Sequence, residues 1–163
     1  MQSCGWLRVH RLQFGFQDGL RCPEAIWPVA SELIDKYRRL KQTVTTILLD
    51  IQKAFGTTER VLIYEKLLAR DVPAHVVAVV QSLFDGCTLL VMLDGQLSSA
   101  IDVLVGVFQG AVLSPFLFNI HIDDLPAGLC RVFGRAAPSL YGQPIPAQMF
   151  ADDTRVAVRV DVG

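Results

Sequence analysis

The spacing of apolar residues near the start of the chain predicts one helix followed by one strand. Residues 23–41 carry apolar side chains three and four positions apart, which is the pattern of an amphipathic helix. Pro28 also allows the helix to begin there, because proline suits a first helical turn. Residues 43–50 are rich in threonine, valine, isoleucine and leucine, and this composition favours a β-strand.

The middle of the chain predicts two more helices and a hairpin. Residues 58–70 and 73–86 have helical patterns, and Thr58 is the candidate N-cap of the first. Residues 88–103 form two apolar segments around Asp94-Gly95, a dipeptide typical of tight hairpin turns.

The last third of the chain predicts a fourth helix, a loop and a closing pair of strands. Ser114-Pro115 indicates a helix start, with Ser114 as N-cap, and the helix should end near residue 128. Residues 130–147 contain several glycines and prolines and should form a loop, and the strands 147–151 and 154–160 follow. This order of elements predicts an α+β fold, in which helices cover one face of a sheet.

Composition limits the possible classes of protein. Of 163 residues, 52% are hydrophobic and 19% charged, as expected of one globular domain. The net charge of -1 argues against nucleic-acid binding, since phosphate contacts usually require a basic protein. The four cysteines form no CxxC pair and the three histidines are dispersed, so neither zinc nor a disulfide framework is expected.

Residues 103–122 are long enough to cross a bilayer and carry no charged residue. Pro115 would break a helix in the middle of a membrane, and Gln109 and Asn119 would need buried partners. The segment is therefore interpreted as a buried loop and helix, and no membrane partner is expected.

Three carboxylates occupy positions where a purely structural role is unfavourable. Asp50 follows an apolar strand, and Asp152 and Asp153 interrupt the closing strands. A charge at the mouth of a buried strand costs several kcal/mol unless it is compensated. If the strands are neighbours, the carboxylates converge and suit Mg²⁺, and paired ions roughly 3.5 to 4 Å apart support phosphoryl transfer. The alternative is that Asp152-Asp153 simply forms a hairpin turn.

Four segments resemble motifs of reverse transcriptases from non-LTR retrotransposons, in the same order and at similar spacing. Phe150-Ala151-Asp152-Asp153 is similar to their aromatic-Ala-Asp-Asp box, and residues 49–55 resemble their first carboxylate motif. Residues 106–119, with Gln-Gly-Ala-Val-Leu-Ser-Pro at the centre, resemble the motif that lies between these two. Gln13-Phe14-Gly15-Phe16, followed by Gly19 and residues 24–26, resembles a motif of the fingers.

The resemblance implies a right-hand polymerase palm, which is a ferredoxin-like antiparallel sheet with helices on one face. The palm would cover about residues 46–163, with a fingers-side insertion near 74–105. Residues 1–45 would be partial fingers, and the thumb would be absent, so that 1–163 is a single truncated domain.

The resemblance also implies roles for individual residues. Asp50 and Asp152, with the carbonyl of Ile51, would bind two catalytic Mg²⁺ ions, and Asp153 would support them. Nucleotide binding would involve Ile51, Ala54, Phe55, Gln109 and Gly110. Phe55 would exclude a 2′-hydroxyl and so select deoxynucleotides, unless it is an ordinary core aromatic. Gln109 would line the nucleotide pocket, unless it is a loop amide with local partners.

The reaction implied is attack of a DNA primer 3′-hydroxyl on a deoxynucleoside triphosphate, directed by an RNA template. The chain departs from the family at Gly56, where aspartate is usual, and at Asp18 and Leu20, where basic residues are usual. Truncation predicts that the isolated chain does not extend a primer, and a non-catalytic remnant or nucleic-acid-binding module is the alternative. Oligomeric state is not determined, and the resemblance implies an intracellular, nuclear site of action.

Overall fold

The computed structural model describes residues 8–17, 19, 22–133 and 136–160. The described helices are α1 (Cys22–Arg39), α2 (Arg60–Leu68), α3 (Ala74–Ser82), α4 (Ser114–His121) and α5 (Leu125–Phe133). The described strands are β1 (Thr43–Leu49), β2 (Thr88–Leu89), β3 (Met92–Leu93), β4 (Gln96–Leu97), β5 (Ile101–Asp102), β6 (Ser139–Leu140), β7 (Gln143–Pro144), β8 (Ala147–Phe150) and β9 (Asp153–Val160). The mixture of helices and antiparallel strands confirms the predicted α+β class.

These residues divide into two compact units. The helical unit consists of Arg8 and Phe55–His121, and the sheet unit consists of residues 9–54 and 122–160. The predicted division into fingers and palm follows other boundaries and stays a prediction.

The sheet unit is built on three antiparallel strands in the order β1-β9-β8. Thr43 pairs with Val160 at one end of β1, and Leu49 pairs with Thr154 at the other. β8 and β9 form a hairpin whose last pair is Phe150 with Asp153. The predicted strands 43–50 and 154–160 are therefore direct neighbours, which is the arrangement that the carboxylate argument requires.

The core of the sheet unit lies between α1 and residues near both ends of the chain. Leu12, Leu33, Tyr37 and Ile145 are buried together there. The Tyr37 hydroxyl accepts a hydrogen bond of 2.8 Å from the backbone N–H of Ser139, which anchors the β6–β7 hairpin to α1.

The expectation that β1 is a buried strand is wrong. Ile47, Leu48 and Leu49 are 49%, 79% and 49% exposed. β1 is an edge strand with one neighbour, and the described residues leave most of its apolar surface uncovered. Asp50, which follows it, is also exposed, so the cost of burying a charge does not apply to this carboxylate.

The helical unit has a separate core formed by its three helices and the loop before α4. Ile63 and Leu67 of α2 and Val77 of α3 are buried together with Val107, Leu117 and Ile120. The predicted hairpin is present but interrupted, with β2 paired to β5 and β3 paired to β4. Between these pairs the Ser98 hydroxyl accepts a hydrogen bond from the Val91 N–H, at 3.0 Å.

Two predicted N-caps are wrong. Helix α2 begins at Arg60, Glu59 occupies the N-cap position without a side-chain bond, and Thr58 is buried before it. Ser114 does begin α4, but its buried hydroxyl makes no hydrogen bond within the described residues.

Other boundaries also differ from the prediction. The helix expected to end near residue 128 stops at His121, and a second helix, α5, follows. Proline has no N–H to donate to the carbonyl four residues earlier. At Pro126 the hydrogen bond to the carbonyl of residue 122 is therefore missing, and a single helix from Ser114 to residue 128 is disfavoured. α5 and the β6–β7 hairpin occupy part of the predicted loop 130–147, and α1 begins at Cys22, before Pro28.

The remaining predictions concern residues 103–122 and the fingers motif. Within the part of the chain that the structure describes, no helix is long and apolar enough to cross a bilayer. Asp18 and Leu20, at which the chain departs from the fingers motif, lie outside the described residues, as do the side chains of residues 24–26.

Candidate active site

The three carboxylates predicted to be catalytic lie at one end of the three-stranded sheet. Asp50 directly follows β1, whose last residue pairs with Thr154 of β9. Ala151 and Asp152 form the turn between β8 and β9, and Asp153 is the first residue of β9. Because β1 is antiparallel to β9, the end of β1 and the start of β9 coincide. The fold thus brings Asp50, Asp152 and Asp153 to the same sheet end.

This end of the sheet is accessible to solvent. Asp50 and Asp153 are exposed, and Asp152 and Ile51 are partly buried. The carbonyl of Ile51 accepts a hydrogen bond of 3.2 Å from the N–H of Ala54, which is buried. A carbonyl oxygen has two lone pairs, so this turn leaves Ile51 one further position for a ligand.

The turn that carries Asp152 has an unusual backbone. Ala151 has a φ of 57°, in the left-handed region that residues with a Cβ seldom adopt. Two residues of the fingers motif contact this turn. The side chain of Gln13 bonds to the backbone of Ala151, and Gly15 packs against the same residue. Sequence reasoning placed this motif in the fingers and did not connect it with the carboxylates.

In the helical unit, Phe55 has a fixed environment. Its ring stacks on that of Phe118 with centroids 5.1 Å apart and an interplanar angle of 25°. The carbonyl of Phe55 accepts a hydrogen bond of 2.8 Å from the Val107 N–H. Phe55 therefore packs on the core while remaining partly exposed.

The loop before α4 rests on the backbone of Phe55 and Gly56. Gly106 has a φ of 83°, and a Cβ there would lie 2.6 Å from the Gly56 oxygen and 2.8 Å from the Phe55 oxygen. Only glycine fits such a close approach in this conformation. Sequence reasoning included Gly106 in the motif but gave it no role.

Arg60 stabilises the same loop through hydrogen bonds to its backbone. The sequence analysis did not identify this residue. Its guanidinium donates hydrogen bonds to the carbonyls of Gly106, at 2.7 Å, and Val103, at 3.0 Å. It also lies 4.8 Å from the centre of the Phe84 ring. A long-range role of this kind leaves no local pattern in the sequence.

A cavity of about 280 Å³ in the helical unit brings two of the predicted nucleotide-binding residues together. Phe55 and Gln109 both line it, with Phe108 beside them. Gly110 is exposed, has a φ of 92° and does not line this cavity.

The donor chemistry of the sheet end fits Mg²⁺. Among the residues that the structure describes, no three His, Cys, Asp or Glu side chains form a cluster able to hold a metal. Mg²⁺ does not need such a cluster, since it is commonly held by one or two carboxylates, with water and substrate phosphates as the other ligands. Asp50 and Asp152 supply two such carboxylates.

Comparison with known protein families decides the class of this chain. The family described as reverse transcriptase (RNA-dependent DNA polymerase) matches residues 2–161. The chain belongs to the reverse transcriptase family. The resemblance based on four short motifs is thereby confirmed over nearly the whole chain.

Individual relatives of this reverse transcriptase chain come from mobile elements. It is 29% identical over 147 residues to a probable RNA-directed DNA polymerase from transposon X-element of Drosophila melanogaster, covering 90% of the chain and 15% of the relative. It is 33% identical over 134 residues to a retrovirus-related Pol polyprotein from type-1 retrotransposable element R2 of Popillia japonica. That match covers 77% of the chain and 18% of the relative. It is 32% identical over 119 residues to the RNA-directed DNA polymerase from mobile element jockey of Drosophila melanogaster. That match covers 72% of the chain and 13% of the relative. The chain thus spans less than a fifth of each of these relatives.

Proposed function

We propose that this chain carries the catalytic carboxylates and part of the nucleotide site of an RNA-directed DNA polymerase of the non-LTR retrotransposon type. The polymerase would add deoxynucleotides to a DNA primer on an RNA template. One observation carries the proposal: Asp50 after β1, and Asp152-Asp153 in the β8–β9 turn, lie at one end of an antiparallel sheet. Membership of the reverse transcriptase family supports the assignment of a polymerase function.

Asp50, Asp152 and the Ile51 carbonyl would hold two Mg²⁺ ions, and Asp153 would support the pair from the start of β9. Bound Mg²⁺ would neutralise phosphate charge and favour ionisation of the primer 3′-hydroxyl. The sheet end contributes positioning, because Asp153 begins a paired strand and Asp50 and Asp152 directly adjoin paired strands. The 3′-oxygen would attack the α-phosphorus, and pyrophosphate would leave.

Ala54 in the sheet unit, and Phe55, Gln109 and Gly110 in the helical unit, would each contribute to nucleotide binding. The Phe55 ring is held by Phe118, so its edge is a fixed obstacle to a 2′-hydroxyl. Gln109 lines the same cavity as Phe55, and its amide both donates and accepts hydrogen bonds. The small side chain of Ala54 and the absence of one at Gly110 would allow close approach of the triphosphate.

We further propose that the three-stranded sheet belongs to the polymerase palm. The palm would cover about residues 46–163, with an insertion near 74–105, and residues 1–45 would be partial fingers. The β1-β9-β8 order, with the carboxylates at one end, supports this assignment.

A non-catalytic remnant of a retroelement is the second candidate, and Gly56 favours it. Reverse transcriptases resembling this chain usually carry aspartate at this position. Gly56 is exposed and follows Phe55, so the loss of a carboxylate there alters the surroundings of the nucleotide site.

The two candidates differ in catalysis within a complete polymerase. Residues 13–158 would replace the corresponding reverse transcriptase segment of the R2 polyprotein of Popillia japonica, and primer extension would be followed on an RNA template with Mg²⁺. We expect extension, and we expect Asp152→Asn to reduce it at least about 100-fold, as loss of a group that stabilises a charged transition state does.

The matched control is Asp94→Asn, which makes the same chemical change in the β3–β4 turn. Asparagine suits the φ of 49° at that position, so activity should be retained. A folded chimera that does not extend the primer would favour the remnant. Extension that survives Asp152→Asn would remove Asp152 from the site.

A further inference from the structure

The side chain of Gln13 is buried beneath the turn that carries Asp152. Gln13 is 1% exposed. Its Oε1 accepts hydrogen bonds from the N–H of Gly15, at 2.8 Å, and from the N–H of Ala151, at 3.1 Å. Its Nε2 donates to the carbonyl of Ala151, at 3.3 Å. One amide side chain thus satisfies both backbone groups of Ala151.

The backbone around Gln13 is joined to β8. Gln13 forms a parallel bridge with Met149. The Phe14 N–H donates to the Met149 carbonyl at 2.7 Å, and the Met149 N–H donates to the Leu12 carbonyl at 2.8 Å. Gln13 is therefore held in register with the strand that leads into the turn.

Gly15 lets this segment approach the turn closely. A Cβ at Gly15 would lie 2.2 Å from the Ala151 nitrogen, which is far inside contact distance. Any side chain there would push residues 13–15 away from Ala151 and lengthen the Gln13 hydrogen bonds. The Gln-Phe-Gly sequence thus has a physical explanation in the turn it contacts.

The turn requires such support because Ala151 adopts a φ of 57°. A residue with a Cβ leaves this conformation unless its surroundings hold it. The two hydrogen bonds between the Gln13 side chain and Ala151 fix the peptide groups on either side of Ala151. One of these groups contains the carbonyl carbon that is bonded to the Asp152 nitrogen. The orientation of Asp152 depends directly on that peptide group.

We infer that Gln13 is a positioning residue for the Asp152 carboxylate, acting through the backbone of Ala151. The inference rests on the proposed function, in which Asp152 is a metal ligand. Gln13 itself does not touch the metal or the substrate. Partners that orient a ligand typically change metal affinity about 10- to 100-fold when they are lost.

The test is a double-mutant cycle on the 163-residue chain, with Mn²⁺ as the probe and electron paramagnetic resonance as the readout. Gln13→Met keeps the length of the side chain and removes its hydrogen bonds. We expect Gln13→Met to weaken Mn²⁺ binding about 10-fold. In an Asp152→Asn background, the same change should have almost no further effect, because residues acting through one group are not additive.

A rescue variant separates positioning from general loss of structure. Glycine adopts positive φ readily, so Ala151→Gly should restore part of the Mn²⁺ affinity lost in Gln13→Met. Gln42→Met is the matched control, because Gln42 is an exposed residue of the same unit. It should leave Mn²⁺ binding unchanged. If Gln13→Met does not fold, Gln13→Asn replaces it, since asparagine keeps an uncharged amide on a shorter side chain that reaches Ala151 less well.

The outcomes distinguish the inference from the proposed function. If Asp152→Asn weakens Mn²⁺ binding while the Gln13 variants do not, or do so additively, Gln13 is only a structural residue and the inference fails. If Asp152→Asn itself leaves Mn²⁺ binding unchanged, the metal site of the proposed function fails, and the positioning role falls with it.

Discussion

At the scale of single residues, the two proposed metal-binding carboxylates differ in how firmly the fold holds them. Asp152 belongs to a two-residue turn whose backbone is bonded to the buried Gln13. Asp50 follows an edge strand and is exposed. An exposed carboxylate stays hydrated until a cation displaces the water. Such a site suits a metal that arrives with its substrate.

Phe55 provides a prediction about substrate choice. Phe55→Val removes most of the ring that faces the cavity, so a 2′-hydroxyl should fit more easily. We expect the ratio of ribonucleotide to deoxynucleotide dissociation constants to fall about 10- to 100-fold, the range typical of steric discrimination in a pocket. Fluorescence titration with the two triphosphates in Mg²⁺ measures this ratio.

Phe55→Tyr is the control for that experiment, because it keeps the six-membered ring. It should retain the preference for deoxynucleotides. If Phe55→Val leaves the preference unchanged, Phe55 is an ordinary core aromatic that packs on Phe118.

His10 gives the sheet unit a dependence on pH. Burial lowers the pKa of His10 from its usual value, against an opposing effect of Asp123. The ring nitrogen Nδ1 accepts a hydrogen bond of 3.2 Å from the Leu12 N–H, which requires the unprotonated nitrogen. The pKa of His10 is lower in the folded state than in the unfolded state. Its contribution to the free energy of unfolding is therefore complete above about pH 6.5, where an ordinary histidine is neutral. It should decline as the pH falls below that value.

We expect His10→Asn to reduce this loss of stability. The asparagine oxygen can accept the same bond from Leu12 and does not titrate. Urea unfolding at pH 7.5 and pH 5.5 should show a smaller difference in unfolding free energy for the variant than for the unchanged chain. Equal differences would show that other groups cause the acid sensitivity.

At the scale of elements, the loop before α4 is fixed by contacts with residues far from it in the sequence. Gly106 lies on the backbone of Phe55 and Gly56, and Arg60 bonds to the carbonyls of Gly106 and Val103. These contacts place Phe108 and Gln109 beside Phe55 at one cavity. Gly106 also lines this cavity, so its close contact with the backbone of Phe55 and Gly56 helps to set the shape of the cavity.

Gly106→Ala tests this dependence. A Cβ would meet two carbonyl oxygens in a conformation that alanine disfavours, and the loop would have to move. We expect the unfolding free energy to fall by about 2 kcal/mol or more, as for other strained or overpacked sites. Urea unfolding followed by circular dichroism measures the change.

Gly128→Ala is the opposite case and serves as the control. Gly128 lies inside α5, and a Cβ there would meet nothing within 4 Å. Alanine should stabilise the chain by roughly 0.5–1 kcal/mol, because it is the better helix former. A loss of stability in both variants would point to a general sensitivity of the chain rather than to the loop contact.

At the scale of the whole molecule, the chain combines a net charge near zero with exposed apolar strands. Its net charge is -1, and Leu48 of the edge strand is 79% exposed. An open edge of this kind pairs readily with other chains, and weak charge does little to prevent it.

Leu48→Lys should make the chain more soluble, because a lysine on an edge strand opposes pairing. Gln42→Lys makes the same change in charge just before β1 and leaves the apolar surface in place. Static light scattering over a concentration series should show less association for Leu48→Lys than for Gln42→Lys. Equal association would mean that charge alone, and not the apolar edge, controls solubility.

Much of the molecule is predictable because its signals are local. The spacing of apolar residues indicates α1 and β1, Asp94-Gly95 marks its turn, and short motifs identify the family. The break between α4 and α5 was missed, although Pro126 cannot donate a helical hydrogen bond. The exposure of β1 was not readable, because an apolar strand has the same sequence whether or not another element covers it.

The sequence by itself determined most of the helices and strands, the reverse transcriptase family and the residue types of the candidate site. Only the tertiary structure decided which residues support those carboxylates. Gln13 and Ala151 are separated by 138 positions, and Arg60 and Gly106 by 46. The free energy of such contacts depends on distance and burial in the folded chain. The local sequence around a residue reveals neither quantity.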